Sequence, residues 1–418
     1  MTKEKLQFKN QNLPKGWRKV KLGEIVDVYG GGTPNTSIPK YWGGNIAWLT
    51  PAEVVALNGN RFIDKTERYI TDEGLKHSSA KLIPPNSLLL TSRATIGEVV
   101  INKIPMATNQ GFINIIPKNV DLMFLFYWLK NKRKYLNQLA IGSTFNELSK
   151  SVFKKIEIEL PEDINEQKRI ADILSAFDDK IELNNKIIKT LEQMAQEIFK
   201  EWFVKFRFPG WEKVKFVDSE LGKIPEGWEV RKIKNTVEII SRGPALTYVR
   251  GERDGIPVLN QRCIRNGEIE LEAIQYVKPV KEIFYLRKWD ILINSMGTGT
   301  LGRVSRNLSI DYPMIIHNCI TFIRAHDPKI QMYLYYQLKN HEKYFEQIAT
   351  GSTGQTSLTI EMIKELSVVL PSHFYLEQFF EKVEPMWEIV GRLKKENKIL
   401  AALRDLLLPK LMSGEIRV

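Results

Sequence analysis

Three stretches of the chain, and five scattered histidines, carry residue types that could do chemistry. Gly297-Thr298-Gly299-Thr300-Leu301-Gly302 has the letters of GxGxxG. Such a loop binds a dinucleotide when a helix follows and points its N-terminus at the pyrophosphate. Here Arg303-Val304-Ser305-Arg306-Asn307-Leu308 follows, a run of strand and turn character, so the loop reads as a turn. Glu166-Gln167-Lys168 has the Glu-x-Lys form of many nucleases, but no strand carboxylate precedes it and a predicted helix begins there. A solvated helix start is the expected role. Pro84-Pro85-Asn86 holds the residues of an adenine-methylation motif in the wrong order. His77, His317, His326, His341 and His373 fall at no metal-ligand spacing, and no GxxxxGK[ST] is present to cradle ATP phosphates. The expectation is a chain with no catalytic residues, no metal and no cofactor of its own. Cys263 and Cys319 are expected to be reduced, buried thiols.

The residues that remain are polar groups in loops, of the kind that can bind a ligand. The 61 Lys and Arg against 49 Asp and Glu leave a formal charge of +12, which favours a polyanionic partner. Base edges are read by Arg, Lys, Asn and Gln held at a groove. Arg93 and Thr95 lie in Thr91-Ser92-Arg93-Ala94-Thr95-Ile96-Gly97, where small residues after the apolar strand Leu88 to Leu90 allow close approach to a ligand. The matching turn in the second half offers Asn294, Thr298 and Arg303. Asn109 and Gln110 break two apolar runs, with His317-Asn318 in the matching place; turn residues bonding their own backbone are the alternative there. Gln261, Arg262 and Arg265 follow the strand Pro257 to Leu259, and a solvated face would also explain them. Gly31 and Thr33, in Gly30-Gly31-Gly32-Thr33, free backbone amides for a phosphate or make a flexible hairpin.

These residues must be positioned by elements that occur twice. Leu13-Pro14-Lys15-Gly16-Trp17 recurs as Ile224-Pro225-Glu226-Gly227-Trp228, 211 positions on. Ile141-Gly142-Ser143-Thr144 recurs as Thr350-Gly351-Ser352-Thr353 at 209, Pro161 as Pro371 at 210, and Asn109 as Asn318 at 209. Near-constant offsets over most of each half indicate a duplication. The repeated Gly-Ser-Thr loops are alike in the two copies, so they suit structure or phosphate positioning. Each copy opens with short strands and turns, such as Ile46 to Thr50, Ser87 to Leu90 and Asn109 to Ile116, and carries one short helix, near Leu122 to Leu139 and again over Met332 to Ile348. Each closes with a long helix. From Asn165 to about Val204 there is no proline or glycine, and Ile170, Leu174, Phe177, Ile181, Ile188, Leu191, Ala195, Ile198 and Trp202 alternate at three and four, with Asn184 in the remaining slot. The second seam, from about Leu376 to Leu411, is Val383, Trp387, Val390, Leu393, Leu400, Leu403 and Leu407, interrupted by Asn397; Pro385 and Gly391 are expected to bend or delay it. The two helices are expected to pair on each other, antiparallel if the halves are related by a pseudo-twofold axis, with Asn184 and Asn397 fixing the register; each helix packing on its own domain is the alternative.

Together these features resemble the specificity subunit of type I restriction-modification enzymes. The resemblance covers essentially the whole chain. It is carried by Glu197-Ile198-Phe199-Lys200-Glu201-Trp202-Phe203-Val204, by Leu221-Gly222-Lys223-Ile224-Pro225-Glu226-Gly227-Trp228, by Leu406-Leu407-Leu408-Pro409-Lys410-Leu411-Met412-Ser413-Gly414-Glu415-Ile416, and by Gly31-Gly32-Thr33-Pro34 through Trp48-Leu49-Thr50-Pro51. It implies an α+β fold of pseudo-twofold symmetry: two similar mixed α/β target recognition domains, residues 1–160 and 211–371, separated by spacer helices, 161–210 and 372–418, that pair as an antiparallel coiled coil. Each domain would read half of a split, asymmetric site on double-stranded DNA. The paired helices would set the spacing and dock two modification subunits. S-adenosylmethionine would sit on those subunits, and ATP and Mg²⁺ on restriction subunits that translocate and cut. The chain would be cytoplasmic, since its longest apolar runs fall far short of a span. Two other classes stay open: a stand-alone DNA methyltransferase or nuclease with an unrecognised active site, and a scaffold pairing only through its helices.

Overall fold

A computed structural model describes residues 13–57, 59–140, 146–250, 255–265, 268–269, 274–297, 299–308, 313–349 and 357–418. The chain forms two compact units, Met1–Asn184 with Glu396–Val418, and Asn185–Lys395. Each long helix therefore has one half in each unit. Both Gly-Ser-Thr loops and Thr298 lie outside the described residues.

In the first unit a five-stranded sheet has the order Val26–Gly30, Phe112–Pro117, Leu88–Thr91, Val99–Asn102, Phe62–Ile63. A second sheet orders Arg68–Ile70, Trp42–Leu49, Met106–Thr108, and a ribbon joins Trp17–Lys21 to Glu157–Pro161. Successive strand side chains point to opposite faces. Leu88 and Leu90 thus enter a core with Phe124, Leu125 and Tyr127 of the helix Leu122–Asn131, while Leu89 enters another with Ala47, Leu49 and Met106. Burial on both faces is why this strand is an unbroken apolar run.

The second unit repeats the plan. Its main sheet orders Ile239–Arg242, Ile320–Arg324, Ile291–Asn294, Val304–Arg306. Ile291 and Ile293 face one core and Leu292 another. The Pro-x-Gly-Trp repeats are one turn used twice: Trp17 donates to the Pro14 carbonyl at 3.0 Å and Trp228 to that of Pro225 at 3.1 Å. Gly16 and Gly227 sit there at φ +80° and +83°, a conformation costly for side-chain-bearing residues. The Asn109–Asn318 match shifts by one. Asn109 donates to the Leu49 carbonyl as His317 does to that of Leu259, so Asn318 is the counterpart of Gln110. The short helix expected in each half is two helices, Leu122–Asn131 and Arg133–Gln138, then Pro328–Asn340 and Glu342–Ile348. Lys132 and His341 break them at ψ 6°.

The long helices are Ile164–Phe199, continued by a π-helical turn over Lys200–Val204, and His373–Met412. Pro385 and Gly391 do not interrupt the second. In the first unit Ile170, Ala171 and Leu174 share a core with Leu408, Leu411 and Met412, Asp178 meets Arg404, and Asn184 donates to Asn397 at 2.9 Å. In the second unit Ile188 packs with Val390 and Leu393, with Leu191 against them, and Phe199 and Trp202 pack with Phe379, Val383 and Trp387. Rising numbers on one helix meet falling numbers on the other, so they run antiparallel. Phe177, Ile181 and Leu400 are partly buried along the same seam. Leu403 does not belong to it, being 44% exposed, whereas Leu408 and Leu411 are buried. Past Asn397 the seam runs through Arg404 because Asp178 gives its guanidinium a buried partner.

Polar anchors also fix each recognition module to its helix halves. Arg61, 2% exposed at its side chain, bonds Glu182 at 2.8 Å and also reaches Asp179, and Tyr127 donates to Asp178 at 2.8 Å. In the second unit Arg306 meets Glu192 at 3.1 Å and lies 4.4 Å from the ring centres of Tyr335 and Trp387.

Candidate nucleic-acid interface

In each unit the candidate readers gather where the central strands end. In the first, Gly31 follows the strand Val26–Gly30 so closely that a Cβ would lie 1.9 Å from the Asn109 carbonyl oxygen, so only glycine fits. Gly32 donates to the Thr108 carbonyl at 2.9 Å and accepts from the Trp48 indole at 2.9 Å. The Gly30–Thr33 segment is thus a pinned turn rather than a flexible hairpin. Thr33 donates its hydroxyl to Gln110 Oε1, both exposed, while Asn109 Oδ1 accepts from the Gly111 amide at 2.8 Å. Asn109 shapes the turn and Gln110 stands at its surface.

The strand Leu88–Thr91 leads to Arg93 in the same cluster. Ser92 donates to the Gly111 carbonyl at 2.7 Å, which ties the Arg93 loop to the Asn109–Gly111 turn. Arg93 Nη2 meets Glu147 Oε2 at 2.8 Å. Ala94 holds φ +58°, rare for a residue with a Cβ, and the enclosed Thr95 hydroxyl has no hydrogen-bond partner among the described residues. Unusual backbone of this kind collects at ligand-contacting loops.

In the second unit Asn294 is fully buried and donates Nδ2 to the Gln261 carbonyl at 3.0 Å, so it holds the loop rather than reaching outward. Gln261 Oε1 accepts from Cys319 Sγ at 2.9 Å, and His317 Nδ1 lies 3.2 Å from that sulfur. Burial lowers the His317 imidazole and raises the Cys319 thiol, which keeps both neutral and opposes an ion-paired nucleophile. Arg303 donates to the Gly299 carbonyl at 2.7 Å. Arg262 and Arg265 are exposed beside them.

Sequence reasoning missed three features. Gly243 is the counterpart of Gly31, with a Cβ position 2.0 Å from the Ile316 carbonyl oxygen; Gly243-Pro244 echoes Gly32-Thr33-Pro34 and could have signalled it. Glu147 is 54 residues from Arg93 and carries no local signal. Glu166 is not solvated: it accepts from the Trp17 indole at 3.0 Å, and Gln167 beside it bonds the Asp121 amide and the Pro161 carbonyl.

The model of the type I restriction modification DNA specificity domain matches residues 14–193 and 225–379. The chain belongs to that family. It is 34% identical over 417 residues to the type I restriction enzyme MjaIX specificity subunit of Methanocaldococcus jannaschii, covering 97% of this chain and 95% of the relative. It is 34% identical over 203 residues to the EcoR124I/EcoR124II specificity subunit of Escherichia coli, covering 45% and 48%. Its fold is that of the crystallised S subunit of a type I restriction-modification system from M. genitalium, with TM-score 0.60 and 19% identity over 96% of this chain and 97% of that one. As a specificity subunit the chain is the DNA-recognising, non-catalytic component of its system. No group of three metal-ligating side chains occurs among the described residues, and no helix there is long and apolar enough to cross a membrane.

Proposed function

We propose that this specificity subunit reads a bipartite, asymmetric site on double-stranded DNA, one half per module, and directs adenine methylation by two modification subunits. One observation carries the reading. The two modules keep the same hydrogen-bonded frame at their strand ends but differ in the side chains mounted on it. Ser92 donates to the Gly111 carbonyl as Ser295 does to that of Cys319, yet Arg93, Thr33 and Gln110 stand on one frame and Gln261, Arg262, Arg265 and Arg303 on the other. A shared frame with different side chains is what two unlike half-sites require. Gly31, Thr95, Asn109 and Asn294 shape the loops, and Thr298 belongs with the readers by its place in the sequence.

In this reading the long helices set the distance between half-sites and dock the modification subunits. S-adenosylmethionine resides on those partners, ATP and Mg²⁺ on restriction subunits that translocate and cut, and the complex works on DNA in the cytoplasm. The test is to map methylated adenines in host DNA with and without the chain. The expected result is a single split motif that disappears when the chain is deleted. Methylation unchanged by the deletion, or a continuous motif, overturns the reading.

A further inference from the structure

The two recognition modules share one more backbone feature, and its side chains differ. Beyond the strands Leu88–Thr91 and Ile291–Asn294 the chain later returns and forms a single antiparallel bridge, Arg93 with Glu147 in the first unit and Met296 with Ser357 in the second. The flanking bonds are the same: Leu148 donates to the Ser92 carbonyl at 3.0 Å, Leu358 to that of Ser295 at 2.9 Å. Position 93 corresponds to 296 and position 147 to 357, although the intervening segments differ in length.

We propose that this bridge is a specificity-determining pair, in which Glu147 positions Arg93 to read a guanine in the half-site of the first module. The inference rests on the reading of each module as a half-site reader. Arg93 stands on a fixed frame, with Ser92 tied to Gly111 and Gly97 at φ +92° seated against Arg133, which is itself paired with Glu98. The Glu147 carboxylate takes an N–H of Nη2 at 2.8 Å, and the two side chains are 44% and 39% exposed. A guanidinium has five N–H donors, so enough remain for the O6 and N7 acceptors of guanine. A long loop arginine otherwise loses much rotamer freedom on binding; the carboxylate limits that loss by holding it beforehand. Met296 and Ser357 provide a thioether and a hydroxyl at the same place, so the pair itself supplies no cation for those acceptors, and the neighbouring Arg242 is engaged with the Leu358 carbonyl at 3.0 Å. The bridge therefore distinguishes the modules where the backbone does not.

The experiment uses the complex of this chain with its modification subunits on a DNA library randomised across both half-sites, read by sequencing the methylated molecules. Glu147→Gln is expected to lower the preference for guanine at one position of one half-site by at least about fivefold, leaving the other half-site unchanged. Arg93→Met/Glu147→Ser, which installs the second module's pair, is expected to relax the same position, and Glu147→Asp to retain it. Equal weakening over all sequences would assign Arg93 to phosphate and overturn the proposal. So would unchanged base preferences in Glu147→Gln, with the wild-type split motif intact. If the wild-type complex selects no split motif, the half-site reading itself fails and the proposal falls with it.

Discussion

At the scale of single residues, buried charge is tolerated here only where geometry answers it. Asp290 and Arg324 of the second unit are 2% and 5% exposed at their side chains and meet through two bonds, Nε to Oδ1 at 2.8 Å and Nη2 to Oδ2 at 2.6 Å. Burial raises the Asp290 carboxyl above the usual range, against the opposing pull of Arg324. Arg324→Met leaves that carboxylate buried without its cation and is expected to cost about 3–5 kcal/mol in denaturant unfolding at neutral pH. A raised folded-state pKa favours the protonated form, and its stabilisation is present at low pH and lost as pH rises through the folded value. The penalty in Arg324→Met is therefore expected to be smaller at pH 5 than at pH 8. Asp290→Leu/Arg324→Met should recover most of the loss. Little of this pairing was legible in advance, because 34 residues separate the partners and neither stands in a motif. The loop that carries Arg93 was legible, since an apolar strand followed by small residues marks a strand end. Its partner Glu147 was not, because only the return of the chain to Ser92 brings it there.

At the scale of elements, periodicity predicted the long helices to within a few residues, because each must keep one stripe buried over many turns. The same reasoning failed at Leu403 and Arg404. Counting apolar residues favours leucine, but a cation answered by buried Asp178 occupies the seam at lower cost than the pattern implies. It also overweighted the breakers. Pro385 lies inside a continuous helix, and Gly391 sits beside Leu308 with room to spare: a Cβ there would meet the Leu308 carbonyl oxygen at 3.5 Å and Cβ at 3.8 Å, ordinary contact distances. Gly391→Ala is therefore expected to stabilise the second unit by about 0.5–1 kcal/mol, read as a higher denaturation midpoint at unchanged slope. A lower midpoint would show that the glycine is needed for close packing.

At the scale of the whole molecule, the formal charge of +12 makes the ionic contribution to DNA binding large. If roughly six to ten phosphates are contacted, affinity is expected to fall about a thousandfold to a hundred-thousandfold between 50 and 200 mM salt. A titration of the assembled complex over that range checks it, and a flat response would exclude the basic surface from the contact. The sequence alone determined the duplication, the alternation of strand-rich and helical parts, and the apolar seams of the long helices, because each leaves a trace along the chain; that the helices meet and run antiparallel was decided by the tertiary contacts, in which Ile170 and Leu174 share a core with Leu408 and Leu411 and Asn184 meets Asn397. Tertiary structure alone decided which polar residues face outward and which are consumed inside. Asn294 and Glu166 look available in the chain but are spent on Gln261 and Trp17, while Glu147 is brought to Arg93. Hydrogen bonds between residues far apart in sequence have no period, so nothing along the chain announces them until the backbone closes.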